Sequence, residues 1–311
     1  MTGIAQTYLR PSSLRQALQQ AEASKGDFRY LAGGTDILVN KFQGNAATAC
    51  LIDLTGITEL SAVRIGTEEI RIGSLVRLSQ LEEVAMLAAR FPALIESAQA
   101  VATPVIRQTA TLGGNLLCQN RCIFYNQSEW WRKAAGYCLK CNGPTCLATG
   151  GKSNCFSRFV SDTAPVLIAL NATVDIEDVN GTVTLPLENI YSGIGLAPLK
   201  LVPASILKSI NLPLRTLSRC LFRKLRVRHS MDFTSLTAAV SKDAAGNIRI
   251  AVGGVDPGPV LVTCGPEGKY ADLIGQAVKK SRIVNNDVFS RRYKKGQIEV
   301  FLLEMLQALA V

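Results

Sequence analysis

An α+β fold is what this 311-residue sequence predicts, on three observations. Short strand-like apolar runs and helical-period segments are interspersed without the strict strand–helix–strand alternation of a doubly wound sheet. Glycine pairs at Gly33-Gly34 and Gly113-Gly114 interrupt the pattern, the first directly after an apolar run. A cysteine-rich stretch, about 118–158, follows neither the helical nor the strand period.

Taken in order, Ser12 and Ser13 precede Leu14, Ala17, Leu18 and Ala21, a capped helix with one apolar face. Phe28 to Leu31 reads as a short strand, broken by Ala32-Gly33-Gly34-Thr35-Asp36, and Cys50 to Leu54 as the next. Val63–Ile65 and Ile70–Ile72, divided by Gly66-Thr67-Glu68-Glu69, form a hairpin pattern. Leu78 to Glu83 and Ala93 to Val101 have helical spacing, and Thr109-Ala110-Thr111-Leu112-Gly113-Gly114-Asn115 makes the second glycine break. Asn180-Gly181 marks a tight turn between two strands. Ile206–Leu212, Leu221–Val227 and Ile248–Val255 read as strands. The stretch from Phe233 is helix-compatible, and Gln297 to Leu309 is an amphipathic helix. There is no internal repeat.

Hydrophobic residues make up 48% of the chain, enough for real cores, yet no apolar run approaches the length that crosses a bilayer. The first residues carry no signal-peptide pattern, so the expectation is a cytoplasmic protein with no membrane association. Net charge is +10, concentrated in two basic stretches: Arg215, Arg219, Arg223, Lys224, Arg226 and Arg228, then Lys279, Lys280, Arg282, Arg291, Arg292, Lys294 and Lys295. These read as solvated faces or protein contacts that suit an acidic partner. Nucleic acid is not expected, because aromatic residues are only 6% of the chain and do not interleave with the basic runs. One histidine, His229, leaves no nucleophile–base arrangement and no catalytic residue stands out, so any chemistry belongs to a cofactor.

Six of the nine cysteines (Cys118, Cys122, Cys138, Cys141, Cys146 and Cys155) lie in the aperiodic stretch. So long a loop in a packed domain needs an organiser, and metal is the obvious one. Spacing alone fits two readings. Cys118-x3-Cys122 with Cys138-x2-Cys141 resembles a zinc ribbon, which would make the chain a zinc-stapled scaffold. An iron–sulfur cluster takes four thiolates from a wrapping loop. The glycine pairs are more modest signals. Consecutive glycines after a strand let main-chain amides converge on a phosphate, although neither segment is a dinucleotide fingerprint or a P-loop.

Three ordered segments carry a resemblance: LAGGTDILVNK (31–41), TATLGGNL (109–116) and SDTAPVLIAL (161–170). They resemble the FAD-binding subunits and domains of the xanthine dehydrogenase and carbon monoxide dehydrogenase flavoprotein family, and FRKLRVRHSMDF (222–233) is similar to the start of that family's C-terminal domain. The resemblance implies a two-subdomain FAD-binding fold over 1–205 (about 1–57 and 58–205), a cysteine-rich insertion at about 118–158, and a C-terminal α+β domain over 206–311. It implies FAD contacts from Arg29, Tyr30, Leu31, Ala32, Gly33, Gly34, Thr35 and Asp36 around the pyrophosphate. Thr111, Gly113, Gly114 and Asn115 would form a second wall. Val101 would lie against the flavin, Asp162 would accept its hydrogen bonds, and Leu207 and Lys224 would approach it from the C-terminal domain. The segment from Arg121 to Trp131, with Gly136-Tyr137-Cys138-Leu139-Lys140, closely resembles the insertion of 4-hydroxybenzoyl-CoA reductase β subunits, which holds a 4Fe–4S cluster. That resemblance assigns the ligands to Cys122, Cys138, Cys146 and Cys155, with Cys118 and Cys141 as non-ligands. It further implies a large molybdenum-cofactor subunit, a small 2Fe–2S subunit, a dimer of heterotrimers and a ferredoxin-like electron partner. The substrate would be an aromatic CoA thioester, or another aromatic or N-heterocyclic compound if the complex is a related hydroxylase.

Overall fold

The strands at the N-terminal end are too short to bury an apolar face alone, and they do so by sharing one helix. The computed structural model describes residues 7–45, 48–214 and 218–310. After β1 (Thr7–Leu9), the Ser13 hydroxyl accepts the Gln16 amide at 3.2 Å and opens α1 (Leu14–Ala23). Leu14, Ala17, Leu18 and Ala21 are its buried positions, as the spacing predicts. They pack with Phe28 of β2 (Phe28–Leu31) and with Cys50 and Ile52 of β3 (Cys50–Asp53). The three strands form a parallel sheet in the order β1-β3-β2, with α2 (Ile37–Phe42) leaving the loop after β2.

The second sheet is antiparallel. The predicted hairpin is β4 (Val63–Ile65) and β5 (Glu69–Gly73), paired Val63 to Ile72. Leu78 to Glu83 is not the helix its spacing predicts; only one turn, Leu78–Gln80, forms, closed by the Gln80 side chain on the Arg77 amide. Short helices follow: α3 (Ala85–Arg90), α4 (Pro92–Gln99), α5 (Pro104–Arg107), α6 (Leu112–Leu116), α7 (Glu129–Ala134) and α8 (Thr163–Ala169). β6 (Thr173–Asp178) and β7 (Gly181–Pro186) turn at Asn180-Gly181 as expected, and Gly181 takes φ +121 there. β8 (Ile206–Pro213), expected to begin the C-terminal unit, is instead the centre of this sheet, in the order β4-β5-β8-β6-β7.

The third sheet runs β12-β11-β10-β9, formed by β9 (Ser218–Leu225), β10 (Leu236–Asp243), β11 (Ile248–Gly253) and β12 (Val260–Cys264). β10 corrects the helical expectation for the stretch from Phe233. Leu236, Ala238 and Val240 face a core with α9 (Tyr270–Lys280) and α10 (Arg291–Ala310), while Ala239 faces the core that holds α8. A strand covered on both faces loses its alternation, and alanines that suit a helix are tolerated where neighbours press close. α10 begins at Arg291, earlier than the apolar pattern from Gln297, because its first turn is basic. Lys294 in that turn is fully buried, against the expectation of a solvated basic face; Arg215 lies outside the described residues. Among the described residues no helix is long and apolar enough to cross a membrane.

α8 is buried along its whole length, between α4 and α6 on one side and β10 and β11 on the other. It thus ties the third predicted motif to both larger sheets.

Candidate functional site

The three ordered motifs meet in space. Gly33 lies on the backbone of the second motif: a Cβ there would sit 2.6 Å from the Thr109 carbonyl carbon and nearer still to its oxygen. Gly34 takes φ +73, a conformation that glycine adopts without penalty. Thr111 caps α6, its hydroxyl accepting the Gly114 amide at 3.1 Å. Gly113 packs on Ser74, to whose carbonyl its amide donates at 2.8 Å, and a Cβ would fall 2.6 Å from the Ser74 Cβ. The Asn115 Oδ1 then accepts from Ser161 Oγ at 2.8 Å and Thr163 Oγ1 at 2.7 Å, joining the second motif to the third. Among the described hydrogen bonds, none is donated by the main-chain amides of Gly33, Gly34, Thr35 or Asp36. Four adjacent amides without protein acceptors, on a loop that must stay free of side chains at Gly33, fit a phosphate group.

The remaining residues implied by the resemblance fall into different settings. The Arg29 guanidinium folds back on the Phe28 carbonyl at 2.8 Å. The Tyr30 hydroxyl donates to the Ala204 carbonyl at 2.7 Å, and burial holds its proton well above the usual phenol range. Leu31, Ala32 and Val101 are half-buried, Val101 against the main core. The Leu207 side chain is inside that core, opposite Ile176, so only its backbone can face a ligand. The Asp36 carboxylate is already engaged: it accepts the Gln119 amide at 3.1 Å and pairs with Arg121, which also donates to Asn40 Oδ1 at 2.9 Å. Arg121 was assigned no role from sequence. It clasps the first motif to the base of the cysteine insertion, and its only sequence signal is that it directly precedes Cys122.

Asp162 and Lys224 form a buried ion pair. The Lys224 Nζ donates to Asp162 Oδ2 at 2.6 Å and to the Ala100 carbonyl at 2.9 Å, with both side chains about 5% exposed or less. Thr237 Oγ1 lies 3.4 Å from Asp162 Oδ1. Burial pushes the Asp162 carboxyl up to about 6, although Lys224 pulls in the opposite direction, and burial lowers the Lys224 ammonium. Two ionisable groups held this dry, at the junction of α8 and the third sheet, can present a hydrogen-bonding edge to a planar ring.

The cysteine insertion is pinched off at its base. Arg121 and Arg158 exchange main-chain hydrogen bonds at 2.9 and 2.7 Å, isolating the residues between them. Within it, Cys122, Cys138, Cys146 and Cys155 line one small pocket together with Tyr125, Lys140 and Phe156. Burial pushes the Cys122 thiol up to about 11, and the neighbouring Cys155 and Cys138 push the same way. Cys118 and Cys141 do not line the pocket. Cys118 is half-buried near Asp36, Arg121 and Asp162, and Cys141 lies beside Cys138. Among the described residues no three His, Cys, Asp or Glu side chains meet closely enough to hold a single metal ion.

Residues 3–215 match the family described as the FAD binding domain in molybdopterin dehydrogenase. The aldehyde oxidoreductase FAD-binding subunit of Escherichia coli (strain K12) is 28% identical over 265 residues, spanning 80% of this chain and 81% of its own. The carbon monoxide dehydrogenase medium chain of Hydrogenophaga pseudoflava is 25% identical over 281 residues, 89% of this chain and 82% of its own. In fold, a chain of a solved carbon monoxide dehydrogenase from Hydrogenophaga pseudoflava superposes with TM-score 0.76 at 21% identity, covering 97% of this chain and 96% of that one. The chain belongs to the molybdopterin dehydrogenase FAD-binding family and is an FAD-binding oxidoreductase subunit.

Proposed function

We propose that this chain is the electron-relay subunit of a molybdenum hydroxylase-type complex, carrying both FAD and a 4Fe–4S cluster. The observation that carries the second cofactor is the pocket: of the six cysteines between 118 and 155, the four that the resemblance names line one space, and the other two do not. A polynuclear group needs thiolates arranged around a volume, and Cys122, Cys138, Cys146 and Cys155 supply them from a loop closed at its base. FAD supplies, when bound, the exchange between one-electron and two-electron carriers. On this reading the amides of residues 33–36 bind its pyrophosphate, and Thr111, Gly113, Gly114 and Asn115 shape the opposite wall. Asp162, fixed by Lys224, orients the ring by hydrogen bonding, with Val101 and the backbone at Leu207 as its apolar surroundings. Arg121 holds the two sites in register, because it bonds Asp36 on one side and is joined covalently to Cys122 on the other.

The family resemblance supplies the partners: a large molybdenum-cofactor subunit, a small 2Fe–2S subunit, a pair of such heterotrimers and a ferredoxin-like protein that exchanges electrons with the complex. The insertion favours the 4-hydroxybenzoyl-CoA reductase type, acting on an aromatic CoA thioester. A second reading, a related hydroxylase working in the oxidative direction, is favoured by the relatives named for an aldehyde and for carbon monoxide.

The test is metal analysis of anaerobically purified complex. Cys138→Ser and Cys146→Ser are each expected to lose iron, acid-labile sulfide and the broad absorbance near ~400 nm that bleaches on reduction, while FAD per chain is unchanged. Cys118→Ser and Cys141→Ser are expected to keep iron. Full iron in both of the first pair, or zinc in its place, refutes the assignment.

A further inference from the structure

Lys140 is a charged side chain on the wall of the cysteine pocket that the binding scheme does not use. Its Nζ donates to the Asn120 carbonyl at 3.2 Å and sits 4.4 Å from the centroid of the Tyr125 ring. Tyr125 is itself buried and anchored, its hydroxyl donating to the Asn45 carbonyl at 3.2 Å. Neither partner carries a formal negative charge, and among the described residues Lys140 forms no ion pair with a carboxylate. The ionisable groups that bear on it are Cys155, Cys122 and Cys138, which attract it as thiolates, and Arg121, which repels it. A second cation, Arg158, feels Cys122 from the base of the insertion. It shares Asp287 with the fully buried Lys294, at 3.3 and 3.9 Å, so even there cations outnumber carboxylates.

Lys140 is half-buried, and holding its ammonium partly out of water without a counter-ion costs free energy. The cost is offset if the pocket's occupant is anionic, as any group ligated by four thiolates is. Resting on the cluster reading above, we infer that Lys140 is the positioning charge that sets the reduction potential of that cluster. The physical reason is the sign of the electrostatic work. Each electron delivered from a one-electron donor makes the ligated group one unit more negative, and a fixed cation at the pocket wall stabilises the reduced form more than the oxidised one. Lys140 therefore raises the potential and favours the cluster as an electron acceptor. The tyrosine ring and the Asn120 carbonyl hold the ammonium at the wall and keep it from swinging into solvent.

The experiment compares wild-type, Lys140→Met and Lys140→Arg complexes, prepared anaerobically, by iron and sulfide content and by a dithionite titration followed by electron paramagnetic resonance. The Met variant is expected to keep its iron and to lose tenfold or more in the equilibrium constant for reduction, about 59 mV to lower potential for a one-electron couple. The Arg variant, which retains the charge, is expected to stay close to wild type. Lys140→Gln, able to keep a hydrogen bond to Asn120, carries the same expectation as Met and replaces it if the Met variant does not fold. Full iron with an unshifted midpoint in the neutral variant overturns the role of Lys140 and leaves the cluster standing. An iron-free wild-type complex overturns both.

Discussion

Gly33→Ala is expected to yield a chain that no longer retains FAD through purification, a loss in affinity of about tenfold or more, equivalent to about 1.4 kcal/mol or above. The reason is steric and does not depend on the size of the side chain, since the first added carbon already meets the Thr109 carbonyl. That neighbour is backbone held from both ends: the Thr109 amide donates to Ile106 and the Leu112 amide to Val76. It cannot rotate away as a side chain would. Relief requires the 32–36 loop to lift off the second motif, which separates the free amides from the wall opposite. Gly34→Ala is the informative contrast. Its Cβ would meet the mobile end of Leu38 at 3.2 Å, and the penalty is mainly the left-handed backbone, roughly 1 kcal/mol. Flavin absorbance per chain after gel filtration, with circular dichroism to confirm folding, separates the two. A folded Gly33→Ala protein with full flavin would show that the contact between the motifs does not matter for the cofactor.

Much of this contact is legible in the sequence, and the reason is that glycine needs are strict. A residue that must approach backbone, as Gly33 and Gly113 do, or take a positive φ, as Gly34 does, leaves a local mark in the sequence. The helix at Leu14 and the turn at Asn180-Gly181 were readable for similar reasons, each being decided within four or five residues. What stayed hidden was decided by tertiary surroundings. β10 carries alanines on two covered faces, so no alternation survives to announce a strand. β12 and α9 were not foreseen at all, although α9 has a clear apolar face at Leu273 and Ala277.

Charged residues show the same division. Lys294 sits in a run that reads as a solvated face, and its burial comes from Asp287 and Arg158 arriving from elsewhere in the chain. Arg121 and Lys140 lie within the quoted insertion, yet nothing in their neighbours' identities shows that one grips Asp36 and the other the cysteine pocket. Composition located the cysteines; it did not separate Cys118 and Cys141 from the other four, because spacing along a loop does not fix which thiols face inward.

Lys224→Met is expected to destabilise the chain by about 3–5 kcal/mol at pH 8, because it strands the Asp162 carboxylate in a dry site rather than simply deleting an attraction. Among the described residues Thr237 Oγ1 is then its one remaining hydrogen-bond partner, at 3.4 Å, and Arg226 the remaining cation that bears on it. The pH dependence identifies the mechanism. In the wild type the Asp162 carboxyl is already pushed up to about 6 by burial, with Lys224 opposing the shift. Removing Lys224 removes that opposition, so the folded-state pKa moves further above its unfolded value near ~3.9. A carboxyl raised in the folded state contributes stability that is fully present below the unfolded pKa and is lost as pH rises through the folded one. The deficit of the variant should therefore be small near pH 4–5, where the folded carboxyl stays protonated, and should grow as pH is raised past 6. Urea midpoints for wild type and Lys224→Met, measured at pH 5 and pH 8 with FAD in equal excess, test this directly. Adding Asp162→Asn to Lys224→Met should recover most of the loss at pH 8 and flatten the difference between the two pH values. A deficit of the same size at both would mean that Lys224 acts through packing of its hydrocarbon chain, with the carboxylate a bystander.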